Sequence, residues 1–318
     1  VVQILSLQYP GSKYIQAVEI QSATVYSTQL ASLEAPVLYA MPWWLDAVCG
    51  ERGWQALIQY DGQQSAAAMM PFHPTRIRGL SAMITPPLTQ WLPITRLKPD
   101  AVVSIDRLLS TLPKTQILDL TLQGADDGHF GQHGSVRYSY VLPAAPFIDL
   151  VRSRYNEGLR RNLRAANDTY HIDVSADIGL LLDLYKASHL QQGIAPPKWA
   201  DNILRTVFDQ LVLHQSGQLT MVYHHQKPIA GVLIGWDRHN SYYLAGGKTG
   251  GEQAASAHAL LLDKAIEEAM ANGRAFDFEG SMHPGIANFF QSFGASPRPY
   301  WHIRKFRGLG KLWSMFHK

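Results

Sequence analysis

The chain contains a single cysteine, Cys49, among its 318 residues. That excludes an intramolecular disulfide and a cysteine-cluster metal site. The zincin pattern of two histidines one helical turn apart around a glutamate is also missing, so no metal is expected. No stretch approaches the roughly 18 apolar residues that a spanning helix needs. These absences suit a reducing compartment, and a cytoplasmic location is expected. Neither sign of charge dominates: 28 Lys and Arg face 25 Asp and Glu, a net charge of +3. Nothing global demands a nucleic acid, and DNA is not an expected partner. Charged residues are only 17% and hydrophobic residues 46%, which excludes a disordered chain and fits a globular protein with a substantial core.

What charge there is lies unevenly. After Glu279 there is no further acid, while Arg298, Arg304, Lys305, Arg307, Lys311 and Lys318 accumulate among aromatic residues. The tail "RKFRGLGKLWSMFHK" has the spacing of a short amphipathic helix for a membrane surface, or it docks as a structural tail. A second basic run, Arg152, Arg154, Arg160, Arg161 and Arg164, has only Glu157 against it. Such runs meet polyanions or anionic lipid, or simply face water.

The length suggests two domains. In the second half, Leu219–His224, Ile229–Trp236 and Ser241–Ala245 read as an antiparallel meander. A loop "GGKTGGEQ" follows, then a helix over Ala254–Asn272 with apolar residues at helical spacing. Gly273 stops it; the strand "AFDFE", a short helix near Gly285–Phe293 and a last strand near Arg298–Phe306 complete the half. The first half repeats this order: a hairpin of Gln55–Tyr60 and Ser65–Phe72, a helix around Val102–Thr111, and the strand "QILDLTL". Laid over each other, Asp119 meets Asp277, Phe130 meets Phe290, Gly134 meets Gly294 and Tyr140 meets Tyr300. Two copies of one α/β unit are expected, a mixed-sheet α+β fold in residues 1–145 and 146–318, joined by an arginine-rich helix over 149–166.

This order of elements resembles the GNAT acyltransferase fold, and the tandem pair with its arginine-rich connection resembles the Fem-type transferases. Those enzymes add amino acids from aminoacyl-tRNA to peptidoglycan precursors. The segments that carry the resemblance are "MPWWLDAVCGERGWQALI", "ITPPLTQ" (Ile84–Gln90), "YNEGLRRNLRAAN" (Tyr155–Asn167), "YYLAGGKTG" (Tyr242–Gly250) and "FDFEGSMHPGIANFFQSFGA" (Phe276–Ala295). They span most of the chain. The resemblance implies a bacterial acyl- or aminoacyltransferase acting on an amine acceptor such as a cell-wall precursor. It requires no cofactor and draws its donor from acyl-coenzyme A or aminoacyl-tRNA. The donor site would lie in the second unit, and the acceptor cleft between the two. An acyl-coenzyme A N-acetyltransferase and a catalytically idle binding module are the rival readings.

Transfer of this kind needs a polarised carbonyl and a group that takes the amine proton. By the resemblance, Tyr243 and Gly246 belong to the strand that lines the donor. Gly246, Gly247, Lys248, Thr249 and Gly250 form a loop that either cradles a phosphate or is a plain flexible turn. The pattern is not a P-loop, since the required first glycine falls at Tyr242. On an extended strand Asp277 and Glu279 share one face. They orient an amine or take its proton, or else they cap backbone and pair with arginine. His283 and His258 are bases by pKa, or surface and capping histidines. His224 and His225 adjoin on a strand and are expected to point to opposite faces. Arg160, Arg161 and Arg164 lie along one side of a helix and suit a phosphate-bearing acceptor or tRNA. By the same resemblance, Thr89 or Gln90 would line the acceptor cleft, and Tyr300 would lie near the donor channel. Phe289, Phe290 and Phe293 are expected in the core.

Overall fold

The computed structural model describes residues 17–123, 134–280 and 282–311. In chain order the first elements are β1 Ala17–Gln21, α1 Ala23–Leu30, α2 Pro42–Cys49, β2 Gln55–Tyr60, β3 Ala66–Ile77 and β4 Leu80–Ile84. The short β5 Leu92–Pro93 and β6 Thr95–Arg96 follow, then α3 Ile105–Thr111, β7 Ile117–Gln123 and β8 Ser135–Leu142. Next come α4 Ile148–Arg152, α5 Glu157–Asn167, β9 His171–Val174, α6 Ile178–Gln191 and α7 Ala200–Leu213. The last elements are β10 Gly217–His224, β11 Lys227–Trp236, β12 Asn240–Lys248, α8 Glu252–Ala271, β13 Ala275–Gly280, α9 Pro284–Ser292 and β14 Ser296–Phe306.

Local chemistry sets several boundaries. Ser22, Ser104, Asn156 and Asp177 cap α1, α3, α5 and α6 with their side chains, and Pro42 opens α2 at a position where its missing N–H costs nothing. The Asn156 cap also breaks the connecting helix expected over 149–166 into two helices.

The chain forms two compact units, Tyr138–Pro299, and Val1–Arg137 together with Tyr300–Lys318. These are not the halves expected from the repeat, 1–145 and 146–318. The reason lies in the last strand of each half. β8 follows the first half in sequence but pairs antiparallel with β13, Phe276 opposite Leu142. β14 follows the second half but pairs antiparallel with β7, Ile303 opposite Leu120. Each unit is therefore completed by a strand from the other half of the sequence.

Within the units the repeat is exact in pairing. In one, β1, β2, β3 and β4 run antiparallel in turn, β4 pairs parallel with β7, and β7 antiparallel with β14. In the other, β9, β10, β11 and β12 run antiparallel in turn, β12 pairs parallel with β13, and β13 antiparallel with β8. The parallel ladders end at equivalent places, Ile84 opposite Asp119 and Tyr242 opposite Asp277. The aspartates aligned from sequence alone thus hold the same position in both units.

In the unit of Tyr138–Pro299, α6 and α8 both pack on β11 and β12. Ala230–Gly235 are buried without alternation, as expected for a strand covered on both faces. Phe276, Phe278, Phe290 and Phe293 join Leu142, Tyr155, Leu260 and Ile266 in the core, while Phe289 packs at its edge. Burying an aromatic of this size is worth about 2–3 kcal/mol, so the phenylalanine cluster is a main source of stability here. In the other unit Leu57, Met70, Phe72, Leu108, Leu120 and Ile303 form the core.

Two local expectations change. β12 extends through Lys248 and α8 starts at Glu252, so the eight-residue loop shrinks to Thr249–Gly251. His224 and His225 do not point apart: His225 adopts φ 49° in the turn after β10, which brings the two rings to 4.2 Å. Arg304–Phe306 of the expected amphipathic tail belong to β14, and residues 312–318 lie outside the described residues.

Candidate active site

In the unit of Tyr138–Pro299, β12 and β13 are hydrogen-bonded only from Asn240–Ala275 to Tyr242–Asp277. β12 then continues for six residues with no strand, among the described residues, on its β13 side. A bulge at this point, between the pairs Leu233–Ala245 and Ile234–Tyr243, bends β12 further. The two parallel strands therefore part and leave a wedge with bare backbone on its flank.

The equivalent wedge in the other unit is filled. β5 pairs parallel with β7 there, Leu92 opposite Leu122. The Thr121 hydroxyl donates to Thr85 Oγ1 or to the Gln90 carbonyl, and Thr85 Oγ1 also accepts the Thr121 N–H. Thr121 is the counterpart of Glu279, and it is fully engaged by its own chain.

Glu279 is not. It lies at φ 63°, in the left-handed region that side chains disfavour. The β13–β8 register slips here, three residues from Asp277 to Gly280 opposing two from Val141 to Ser139. This bulge overturns the simple alternation expected for Asp277 and Glu279: they do not share a face as ordinary strand neighbours. The Asp277 Oδ1 accepts the Glu279 N–H at 2.8 Å, and Oδ2 accepts a hydrogen bond from Arg298. Asp277 is 1% exposed and its oxygens are spent on holding the turn. Burial raises its carboxyl above the usual range, against the pull of Arg298. In Glu279, Oε1 is enclosed with no hydrogen-bond partner, and burial pushes its carboxyl well above the ordinary value of 4.5 although Arg298 opposes this. A carboxyl with a raised pKa, set on strained backbone at the mouth of a wedge, is suited to take up a proton.

Beside it, Tyr243 is the first residue past the ladder. Its hydroxyl is 2.9 Å from His258 Nε2. Burial, helped by the nearby Lys248 charge, lowers the His258 pKa to about 4, so the ring is neutral and Tyr243 donates to it. Gly246 is required by this pair, since a Cβ there would stand 2.0 Å from the Tyr243 hydroxyl and 2.8 Å from His258 Nε2. Gly247 is required by α6, whose Tyr185 N would lie 2.3 Å from a Cβ. The backbone N–H of Lys248 donates to Ser188 Oγ and that of Thr249 to the Ile229 carbonyl. Four residues expected in a phosphate-binding loop are thus engaged in packing or hydrogen bonds. One step on, the first turn of α8 behind its N-cap Gly251 has no side-chain cap for its N–H groups.

The other expected site residues are scattered. His283 is the exposed N-cap of α9 and makes no side-chain cap there. Arg160, Arg161 and Arg164 are exposed on α5. Arg152 differs: it donates to Asp263 at 2.6 and 3.0 Å and to Glu267 at 3.1 Å, pinning α4 to α8. Thr89, 7% exposed, accepts from Trp44 Nε1 at 3.0 Å, and Gln90 Nε2 donates to the Tyr300 hydroxyl at 2.7 Å. Ser281 lies outside the described residues. Sequence reasoning missed Arg298 as the partner of Asp277 and Tyr243 as the partner of His258. The second was within reach, since both were singled out separately.

This strand order in each unit, an antiparallel run, a parallel pair and an antiparallel closing strand, is the GNAT acyltransferase fold in tandem. Residues 152–289 match the family described as acetyltransferase (GNAT) domain. No curated protein sequence matches the chain. Among solved structures it is similar to FemX, with a TM-score of 0.65 and 11% identity over 95% of this chain and 100% of that one. It is also similar to a tandem GNAT protein from the clavulanic acid biosynthesis pathway, at 0.52 and 11% over 91% and 98%. A third is L-PGS from Bacillus licheniformis, at 0.52 and 11% over 93% and 96%. At such identities the likeness is one of fold, and it matches the resemblance drawn from the sequence. Among the described residues no helix is long and apolar enough to cross a membrane.

Proposed function

We propose that the chain is an acyl- or aminoacyltransferase that works in the wedge between β12 and β13, with Glu279 as general base. The carrying observation is the contrast between the two units: the wedge behind β4 is plugged by β5 and Thr121, whereas among the described residues the wedge behind β12 has no such plug and has Glu279 Oε1 unpartnered at its edge. The donor carbonyl would lie along the bare edge of β12 and accept a backbone N–H there. The acceptor amine attacks that carbon, the bond to the leaving sulfur or ester oxygen breaks, and the amine proton passes to Glu279. Asp277 acts as a positioning residue, holding Glu279 in its left-handed turn.

An amine acceptor in cell-wall synthesis is supported by the fold likeness to FemX. Acyl-coenzyme A as donor is supported by the acetyltransferase match over 152–289 and by the uncapped first turn of α8, whose free N–H groups suit a pyrophosphate. Aminoacyl-tRNA is the second donor, supported by the resemblance to Fem-type transferases and the fold likeness to FemX. Radiolabelled acetyl-coenzyme A and charged tRNA, each tested for binding and for transfer to an amine panel, separate these donors. Glu279→Gln should lower transfer about 100-fold or more while leaving donor binding intact. A variant that transfers at the parental rate removes Glu279 from the mechanism.

A further inference from the structure

We propose that the segment from Pro143 to Arg164 is a docking surface for an anionic lipid bilayer. The stretch "LPAAPFIDL" lies between β8 and the end of α4, and its apolar residues are not all used by the core. Pro143, Ala144, Pro146, Phe147 and Leu150 are exposed, Phe147 by 69% and Leu150 by 51%. Clustered within eight residues, they form the kind of exposed apolar patch that marks an interaction surface.

Next to this tip stand four arginines. Arg154, Arg160, Arg161 and Arg164 are exposed and have no ion pair among the described residues, while Arg152 of the same run is committed to Asp263 and Glu267. Over Pro143–Arg164 the only exposed acids are Asp149 and Glu157. The packing orients both parts outward. α4 and α5 each rest on α8, and Val151, Leu159, Leu163 and Ala166 join α8 residues in one core cluster, with the Tyr155 hydroxyl between the helices donating to Asp263 of α8. Phe147, Leu150 and the arginines are on the sides of these helices that α8 does not cover.

Apolar side chains flanked by guanidinium groups match the layering of a bilayer surface, where acyl chains lie beneath anionic headgroups. Neither signal alone holds a protein on a membrane, but the two together do. A nucleic acid would use the arginines and leave Leu150 and the prolines without a role, so the lipid surface is the better match.

The test is flotation of the full chain with vesicles of phosphatidylcholine alone and of phosphatidylcholine mixed with phosphatidylglycerol. Binding is expected only to the anionic vesicles and should weaken with added salt. Phe147→Ser with Leu150→Ser, and separately Arg160→Gln with Arg161→Gln and Arg164→Gln, should each lower partitioning about tenfold or more. These positions are exposed, so thermal unfolding of the variants serves as the check that folding is intact. Absence of binding at low salt, binding equal on neutral vesicles, or partitioning unchanged in both variants overturns the proposal. So does loss of unfractionated tRNA retention in the arginine variant with flotation unaltered, which assigns the row to a polynucleotide. None of these readouts depends on transferase activity.

Discussion

Replacing Glu279 by glycine should make the protein more stable and less active. The backbone there sits at φ 63°, which costs a residue with a side chain about 1 kcal/mol and glycine almost nothing. Enclosing an unpartnered carboxyl oxygen costs a further ~1–3 kcal/mol. Against this, glycine loses about 0.5–1 kcal/mol more through backbone freedom in the unfolded chain. The balance favours Glu279→Gly by about 2 kcal/mol, which urea unfolding resolves without any knowledge of the substrate. The gain should depend on pH. A carboxyl whose folded pKa is raised above its unfolded value stabilises the fold fully at pH below the unfolded value, and that contribution is lost as pH rises through the folded pKa. The advantage of the glycine variant should therefore be smallest near pH 4 and grow toward neutrality. Transfer activity should fall about 100-fold or more, since the proton acceptor is gone. A glycine variant that is less stable, or a gap that stays constant with pH, would mean that Glu279 is neither strained nor buried in its neutral form, and the case for it as a tuned base would end.

Other outcomes are expected on the same grounds. Gly246→Ala drives a Cβ into the Tyr243–His258 hydrogen bond and should cost about 1–3 kcal/mol in urea unfolding, with Gly250→Ala, where no contact is closer than 3.6 Å, as the mild comparison. His258 has a folded pKa near 4 against 6.5, so its neutral form stabilises the fold above pH 6.5 and that stability, up to about 3 kcal/mol, is lost as pH falls toward 4. Unfolding of the parent and of His258→Gln compared across that range should show the parent losing ground, and parallel curves would refute it. Asp277→Ala frees the Glu279 N–H and strands Arg298, and should cost about 2 kcal/mol or more. Asp277→Asn, which still accepts that N–H, should retain the acid limb of the rate–pH profile; loss of that limb would make Asp277 itself the titrating base.

The fold was largely legible from the sequence because its signals are local. Apolar runs split by "HQKP" and "DRHN", the helical spacing of Ala259, Leu262 and Ile266, and the stop at Gly273 are each read within a few residues. The internal repeat was also legible, and the ladders ending at Asp119 and Asp277 show why: the same residue closes the same register in both sheets. The strand exchange was not legible. Which sheet β8 or β14 joins is decided by partners more than a hundred positions away, and both edges offer the same backbone groups. At the site, period-two alternation gave Asp277 and Glu279 one shared face because a bulge leaves no mark in so short a run. The glycines of "GGKTGG" read as a cradle or a plain turn, and two of them lie against the ring of His258 and the backbone of α6. Glycine permits close approach but does not say to what.

Because β8 completes the strand order of the second half and β14 that of the first, Tyr138–Pro299 is one stretch that begins ahead of the second repeat, whereas the other unit needs Val1–Arg137 and Tyr300–Lys318 together. A gene divided at the seam of the duplication would yield two polypeptides, each carrying a strand that belongs to its neighbour and each with an unclosed margin where its own should be. Single-lobe expression therefore has to follow the exchanged strands, not the repeat.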